Sequence, residues 1–308
     1  VGEDAGVGSS PDAQVTYLPA HPLDLLRTLA PLRRGRADPT VTLDERGLWR
    51  AAATPHGPGT LLLTRRGLAV AAQAWGPGAA WLVAGVPELL GSADAPESFT
   101  PGHPLLHDAA RRLPGMRTPR CRLVFEMTAA AVLEQKVTGR EAKRSWRELV
   151  RRFGTPAPGP APAGLTVAPA ASVFRRIPSW EWHRAGVDGK RSRTVLAAAE
   201  HAPILERSLH VADPSAVLRQ VPGIGVWTAA EVMQRAHGDA DAVSYGDFHI
   251  PSTVGWALAG SPFDDDQLRQ FLRPWAGHRG RVVRLVEQSG FRPPRFGPRY
   301  AGVDYRGM

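Results

Sequence analysis

The sequence predicts an α+β chain: an N-terminal antiparallel β-sheet domain with flanking helices, then a larger all-helical region ending in a basic tail. Three observations carry that expectation. Residues 39–84 break into short apolar runs separated by Gly, Pro and charged residues, the punctuation of hairpin-linked strands. From about residue 101, apolar residues recur at helical spacing. The stretch VPGIGVWTA, Val221 to Ala229, sets two glycines in a tight turn between two helical segments. The expected organisation is a flexible tail over 1–15, a β-rich domain over 16–100 and the helical region over 101–308.

Taken in order, PTVTL, GLWRAAAT, GTLLLTRRG, LAVAAQAWG and GAAWLVAG read as strands. HPLDLLRTLAPL before them and VPELLG after them read as helices, which gives a sheet carrying helices on one face. CRLVFEMTAAAVLEQKVTGREAKRSWRELVRRFG keeps helical spacing throughout, with Gly139 dividing it into two helices. The Pro- and Ala-rich GTPAPGPAPAGLTVAPAA reads as a surface loop. RSRTVLAAAEHA, PSAVLRQV, VWTAAEVMQRA, PSTVGWALAG, DDDQLRQFLRPWA and GRVVRLVEQ follow as successive helices, and FRPPRFGPRYAGVDYRGM as an irregular basic tail.

Composition narrows the function. The 308 residues suffice for two modest domains, and a 43% hydrophobic content allows a sizeable core. No run approaches the roughly 20 apolar residues of a membrane span, and VGEDAGVGSSPDAQV lacks the basic and apolar regions of a signal peptide. A cytoplasmic protein with no membrane partner is expected. The single cysteine, Cys121, excludes an internal disulfide, an iron–sulfur cluster and a multi-Cys zinc site. The ten histidines lack ligand-like spacing, so no metal is expected. The net charge is +9, yet the first 100 residues carry eight Arg against ten acidic side chains. The positive excess therefore lies downstream and points to a polyanion; a general preference for Arg, beside only three Lys, is the plainer reading.

Gly223 and Gly225 permit positive φ and close backbone approach. The amides from Gly223 to Val226 then lie at the start of the next helix, where unpaired N–H groups and the helix dipole favour an anion. For a basic protein that anion is a DNA phosphate, gripped without reading sequence. Over PGIG alone, a glycine-capped connection between helices reads equally well.

VPGIGVWTA followed by YGDFHI resembles the helix-hairpin-helix DNA glycosylase superfamily, and within it the 3-methyladenine DNA glycosylase II, or alkylpurine, family. That family pairs a PGIG-x-WTA hairpin with an Asp at this distance, an upstream helix like VLEQKVTG, and a later RPW like Arg273, Pro274 and Trp275. Residues 16–100 match its N-terminal domain in length and pattern. The resemblance implies a monofunctional DNA glycosylase, a monomer. It would flip a damaged, alkylated purine out of double-stranded DNA and hydrolyse the N-glycosidic bond, leaving an abasic site. Pro222, Gly223, Ile224, Gly225, Val226 and Thr228 would form the DNA-binding hairpin. No cofactor is required, while a monovalent cation at the hairpin is allowed.

By the same resemblance Asp247 is the catalytic acid. Cleaving the bond builds positive charge on the sugar, and an ionised carboxylate beside it lowers that barrier and can orient or deprotonate water. Asp247 also precedes FHIPSTVGWAL, with Pro251 tolerable in the first turn, so it reads as a helix cap too; both roles can hold. Relatives that also cut the strand place a Schiff-base Lys where this chain has Trp227. The expected base pocket is Trp227, Glu231, Phe248, His249 and Arg284. Trp227 would stack on the base. Glu231, at i+4 from Trp227, either faces the pocket or pairs with Arg235; the family commonly has an aromatic there, and a second one at the position of Arg284. For the intercalating wedge, Thr118 takes the place of a Leu, with Met116 or Arg117 as substitutes. Gln135 either touches the opposite strand or packs between helices. Two alternatives stand beside this reading: a hairpin DNA-binding protein without excision, and a glycosylase for a neutral modified base such as a deaminated purine.

Overall fold

A computed structural model describes residues 10–294. Residues 1–9 of the expected N-terminal tail, and the expected basic tail after residue 294, lie outside the described residues.

The N-terminal part is a five-stranded antiparallel sheet built from β1 (Ala13–Tyr17), β2 (Val41–Asp44), β3 (Gly47–Thr54), β4 (Gly57–Arg66) and β5 (Ala69–Trp75), in the order β1-β5-β4-β3-β2. Tight hairpins join β2 through β5. At the first of them, Asp44 Oδ1 accepts the amides of Arg46 and Gly47. Side chains alternate as a pleat demands: Leu61 and Leu63 enter the main core, while Leu62 faces the other side with Trp49, Ala51 and Trp75. The structure differs from expectation at three places. Ala13–Tyr17 is an edge strand rather than the end of a tail, because residues 13–17 find backbone partners on β5, Ala13 opposite Ala74. GAAWLVAG is a helix, α2 (Ala79–Ala84), not a strand; its buried Ala79 and Leu82 stand three apart, a helical stripe against the sheet. The Pro-rich loop contains the short hairpin β6 (Thr155–Pro156) and β7 (Thr166–Val167), whose Leu165 and Val167 seal the sheet's second face over the stacked Trp49–Trp75 pair.

The other early helices are α1 (Leu25–Leu29), α3 (Val86–Leu89) and α4 (Pro104–Arg112). The expected long helical stretch divides into α5 (Val124–Leu133) and α6 (Gly139–Phe153), where Thr138 and Glu141 form a reciprocal capping box. All ten residues of α5 are buried. Then come α7 (Ala171–Phe174), α8 (Ser179–Arg184), α9 (Gly189–Glu200), α10 (Ala202–Arg207), α11 (Pro214–Arg219), α12 (Val226–Val232), α13 (Ile250–Ala259), α14 (Asp265–Phe271) and α15 (Arg279–Gln288). α12 runs on into a π-helical turn, Met233–His237.

Two apolar bodies result. The larger unites one sheet face with α5, α9 and α12, so a single core runs across residue 100. The smaller gathers α4, α13, α14 and α15 around Leu106, Val254, Leu268 and Val282. Two ion pairs tie the N-terminal part to α5 and its end: Arg50 to Glu126 at 3.2 Å and Arg34 to Glu134 at 2.9 Å. Burial raises the Glu126 pKa despite Arg50, so desolvation outweighs the pairing there. Among the described residues, no helix is long and apolar enough to cross a membrane.

Candidate active site

The turn between α11 and α12 has an inner and an outer side. Val221, Ile224 and Thr228 are buried, whereas Pro222, Gly223, Gly225 and Val226 are exposed. Gly223 has φ +88°, and a Cβ there would lie 2.3 Å from Thr194 Oγ1 on α9, so only glycine fits. A Cβ on Gly225 would meet nothing within 4 Å, which leaves its outer side open to a ligand. Gln135 Nε2 donates to the Gly223 carbonyl (3.0 Å) and to Thr228 Oγ1 (2.8 Å). These two bonds are the packing contacts expected of Gln135 between the helices.

Asp247 stands against the first turn of α12. The Trp227 indole Nε1–H donates to its Oδ2 at 3.1 Å, and Oδ1 accepts the amides of His249 (2.7 Å) and Ile250 (3.1 Å). Asp247 thus caps the entry to α13, as its second reading expects, and that cap fixes a half-buried carboxylate beside the hairpin. Trp227 serves as a donor to this acid and does not line the neighbouring cleft.

That cleft, of about 290 Å³, opens between the two apolar bodies, near the lower end for ligand pockets. Its walls include Glu231, Gln234, Arg284, Glu287, Thr118 and Ile250. The two alternatives for Glu231 merge: it lines the cleft, accepts from Ser244 Oγ at 2.5 Å and pairs with Arg235 at 2.8 Å. Arg284 does not present a free guanidinium. Its Nη1 donates to the Arg117 carbonyl (2.8 Å) and its Nη2 to the Arg27 carbonyl (2.6 Å), and burial lowers its pKa to about 10. No aromatic side chain lines the cleft among the described residues.

Several expectations move. Phe248 and His249 are not in the cleft; both are exposed, Phe248 by 90%. They follow Asp247 at the start of α13, where the capped backbone turns their side chains to the surface. No wedge projects from Met116, Arg117 or Thr118. Met116 packs in the smaller core. Arg117 is buried and pairs with Glu97 at 2.9 Å, and the Thr118 amide donates to Asp94 Oδ2. Sequence reasoning also missed Glu287, whose pKa is pushed up to about 7 by burial and by the charges of Glu231 and Asp247. Its side chain keeps solvent-open surface at the cleft mouth, which tempers that shift. The available signal was its place on one helix face with Arg284, three residues earlier.

No family model matches the sequence. Over 151 residues the chain is 29% identical to a Mycobacterium tuberculosis protein described as a probable bifunctional transcriptional activator/DNA repair enzyme AlkA, a match covering 48% of this chain and 30% of that protein. The match thus spans less than a third of that relative. Among solved structures, a 3-methyladenine DNA-glycosylase from Archaeoglobus fulgidus superposes with TM-score 0.75 at 17% identity, over 90% of this chain and 99% of that one. An 8-oxoguanine glycosylase/lyase from Clostridium acetobutylicum, in its apo form, does so with TM-score 0.68 at 13% identity, over 92% and 99%. Sheet, hairpin and helical region together therefore have the fold of the helix-hairpin-helix DNA glycosylases, the likeness that VPGIGVWTA and YGDFHI carry in the sequence.

Proposed function

We propose that this chain is a monofunctional DNA glycosylase that extrudes a damaged purine from duplex DNA and hydrolyses its N-glycosidic bond, leaving an abasic site. The observation that carries this reading is the 3.1 Å bond from Trp227 Nε1 to Asp247 Oδ2. It joins the acid to the hairpin helix; Asp247 does not itself line the cleft, but Ile250, whose amide it accepts, does, so one nucleotide would have its phosphate at Gly225, its sugar at Asp247 and its base between α12 and α15. Asp247 offsets the charge that builds on the deoxyribose and receives a proton from the attacking water. Trp227, at the position where strand-cutting relatives carry Lys, offers no amine for a Schiff base. Phe248, exposed beside Asp247, is placed to fill the gap that the extruded nucleotide leaves. The names of the relatives, a DNA repair enzyme and a 3-methyladenine glycosylase, support an alkylated base as one substrate.

The test is a release assay on duplexes carrying 7-methylguanine, ethenoadenine or hypoxanthine, with free base read by mass spectrometry. The expected products are free base and a strand that stays intact until alkali is added. Absence of free base from every duplex overturns the glycosylase reading; an enzyme–DNA adduct trapped by borohydride overturns the monofunctional part alone.

A further inference from the structure

We propose that Glu287 is the proton donor to the leaving base, a role that opens the cleft to uncharged purines; this rests on the glycosylase reading above. The geometry leaves Glu287 free for the task. Of the charged side chains around it, Glu231 is engaged by Arg235 and Ser244, and Arg284 by two backbone carbonyls. Glu287 lines the same cleft and makes no hydrogen bond or ion pair with any described residue. The charges it faces are Glu231 and Arg235 from the α12 region, Asp247 from the entry to α13, and Arg284 on its own helix. Arg27, at the cleft wall, has its guanidinium held by Asp24 and Gln288.

The cleft's chemistry points the same way. A cationic alkylated base is commonly held by aromatic faces, and none lines this cleft among the described residues. Such a base leaves as a neutral molecule and needs no acid. An uncharged purine would leave as an anion, and protonation at a ring nitrogen removes that barrier. In the step inferred here, the Glu287 O–H passes its proton to a ring nitrogen of the base. The C1′–N9 bond breaks with its electron pair going to the base. Water adds at C1′ and gives its proton to the Asp247 carboxylate. Neutral free base and an abasic sugar result, and exchange with solvent returns both acids to their starting states. Even tempered by exposure, a pKa raised from the ordinary carboxylate value leaves Glu287 a larger protonated fraction at neutral pH than a free Glu has.

The experiment is single-turnover release of hypoxanthine and of 7-methylguanine from otherwise identical duplexes between pH 5.5 and 9. For the wild-type chain, hypoxanthine release should fall about tenfold per pH unit above the Glu287 pKa, which lies at or below about 7, while 7-methylguanine release stays level. Glu287→Gln should slow hypoxanthine release about a hundredfold and 7-methylguanine less than threefold. Glu287→Asp should restore part of the rate and move the pH break. A melting series adds a readout of the residue's environment. A raised acid pKa favours the fold fully only below the ordinary carboxylate pKa and loses that contribution as pH rises through the folded value, so Glu287→Gln should melt above wild type at pH 8 and level with it below about pH 4. Equal slowing of both substrates, or hypoxanthine release by Glu287→Gln with the wild-type rate and profile, overturns the assignment. Release of 7-methylguanine but not hypoxanthine by the wild type overturns it and leaves the glycosylase reading standing. Release of neither removes both.

Discussion

Replacing Asp247 by Asn tests the central claim with the least disturbance of the fold. The amide retains one oxygen, which can still accept the His249 and Ile250 amides now bound by Oδ1 at 2.7 and 3.1 Å, so the entry to α13 stays capped. What changes is the charge and the acceptor for Trp227 Nε1. A carboxylate about 4 Å from the developing oxocarbenium, at an effective dielectric near 20, is worth roughly 4 kcal/mol. That corresponds to a loss of about a thousandfold in the rate of bond cleavage. The lost indole bond costs about 1 kcal/mol of stability, too little to unfold the chain. Trp227→Phe is the matched control, since it removes the same hydrogen bond and keeps the charge; it should slow release by about tenfold, the effect of losing roughly 1.5 kcal/mol, the lower end for a hydrogen bond to a charged group. The assay is single-turnover base release with enzyme in excess, beside thermal melts of all three proteins. Release by Asp247→Asn at the wild-type rate would refute the catalytic role. Equal losses in the two variants would show that orientation by the indole, and not charge, carries the effect.

The two hairpin glycines should separate fold from binding. Gly223→Ala meets Thr194 and a positive φ, so it should cost about 1–3 kcal/mol, seen as a lower melting temperature. Gly225→Ala places its Cβ in open space and should melt like wild type while weakening duplex binding about tenfold by anisotropy at fixed salt; undiminished binding would remove the phosphate anchor from this turn. Phe248→Ala should leave stability unchanged, because the ring is 90% exposed, yet reduce the fluorescence rise of a 2-aminopurine placed beside the lesion; an unaltered rise denies Phe248 the gap-filling role.

What the sequence made legible was local. The break between α5 and α6 was read from Gly139, which the structure makes the first residue of α6 behind a Thr138–Glu141 capping box, and the turn at Gly223 from a backbone that only glycine can adopt. Asp247 was picked out by resemblance to a family that follows its hairpin with an Asp, and the structure sets it in the loop before α13, within hydrogen-bond reach of Trp227 on the hairpin helix. The misreadings are non-local. β1 exists only through its pairing with β5, whose residues lie about sixty positions on. GAAWLVAG is short and apolar, a pattern on which strand and helix look alike until the sheet decides. The stretch from Met116 to Thr118 sits where a wedge was expected, yet Asp94 and Glu97 from an earlier segment draw it inward. Phe248 reads as a pocket residue beside Asp247, and nothing in its neighbours announces that it is almost wholly exposed.

The cleft also explains why the N-terminal part is more than a neighbour of the helical region. Its polar wall is fastened to the chain's beginning by two arginines: Arg235 Nε donates to the Pro31 carbonyl at 3.0 Å, and Arg284 Nη2 to the Arg27 carbonyl. Arg235 simultaneously holds Glu231 at 2.8 Å, so the segment after α1 fixes the cation that keeps this acid in place. Where the resemblance leads one to expect two aromatic rings, at Glu231 and Arg284, this chain has an acid and a base, each bonded to another part of the protein. A ring would offer a face to stack on; these side chains put charged groups on the cleft wall instead. That arrangement leaves one acid on the wall, Glu287, with nothing among the described residues to bond to except what enters the cleft.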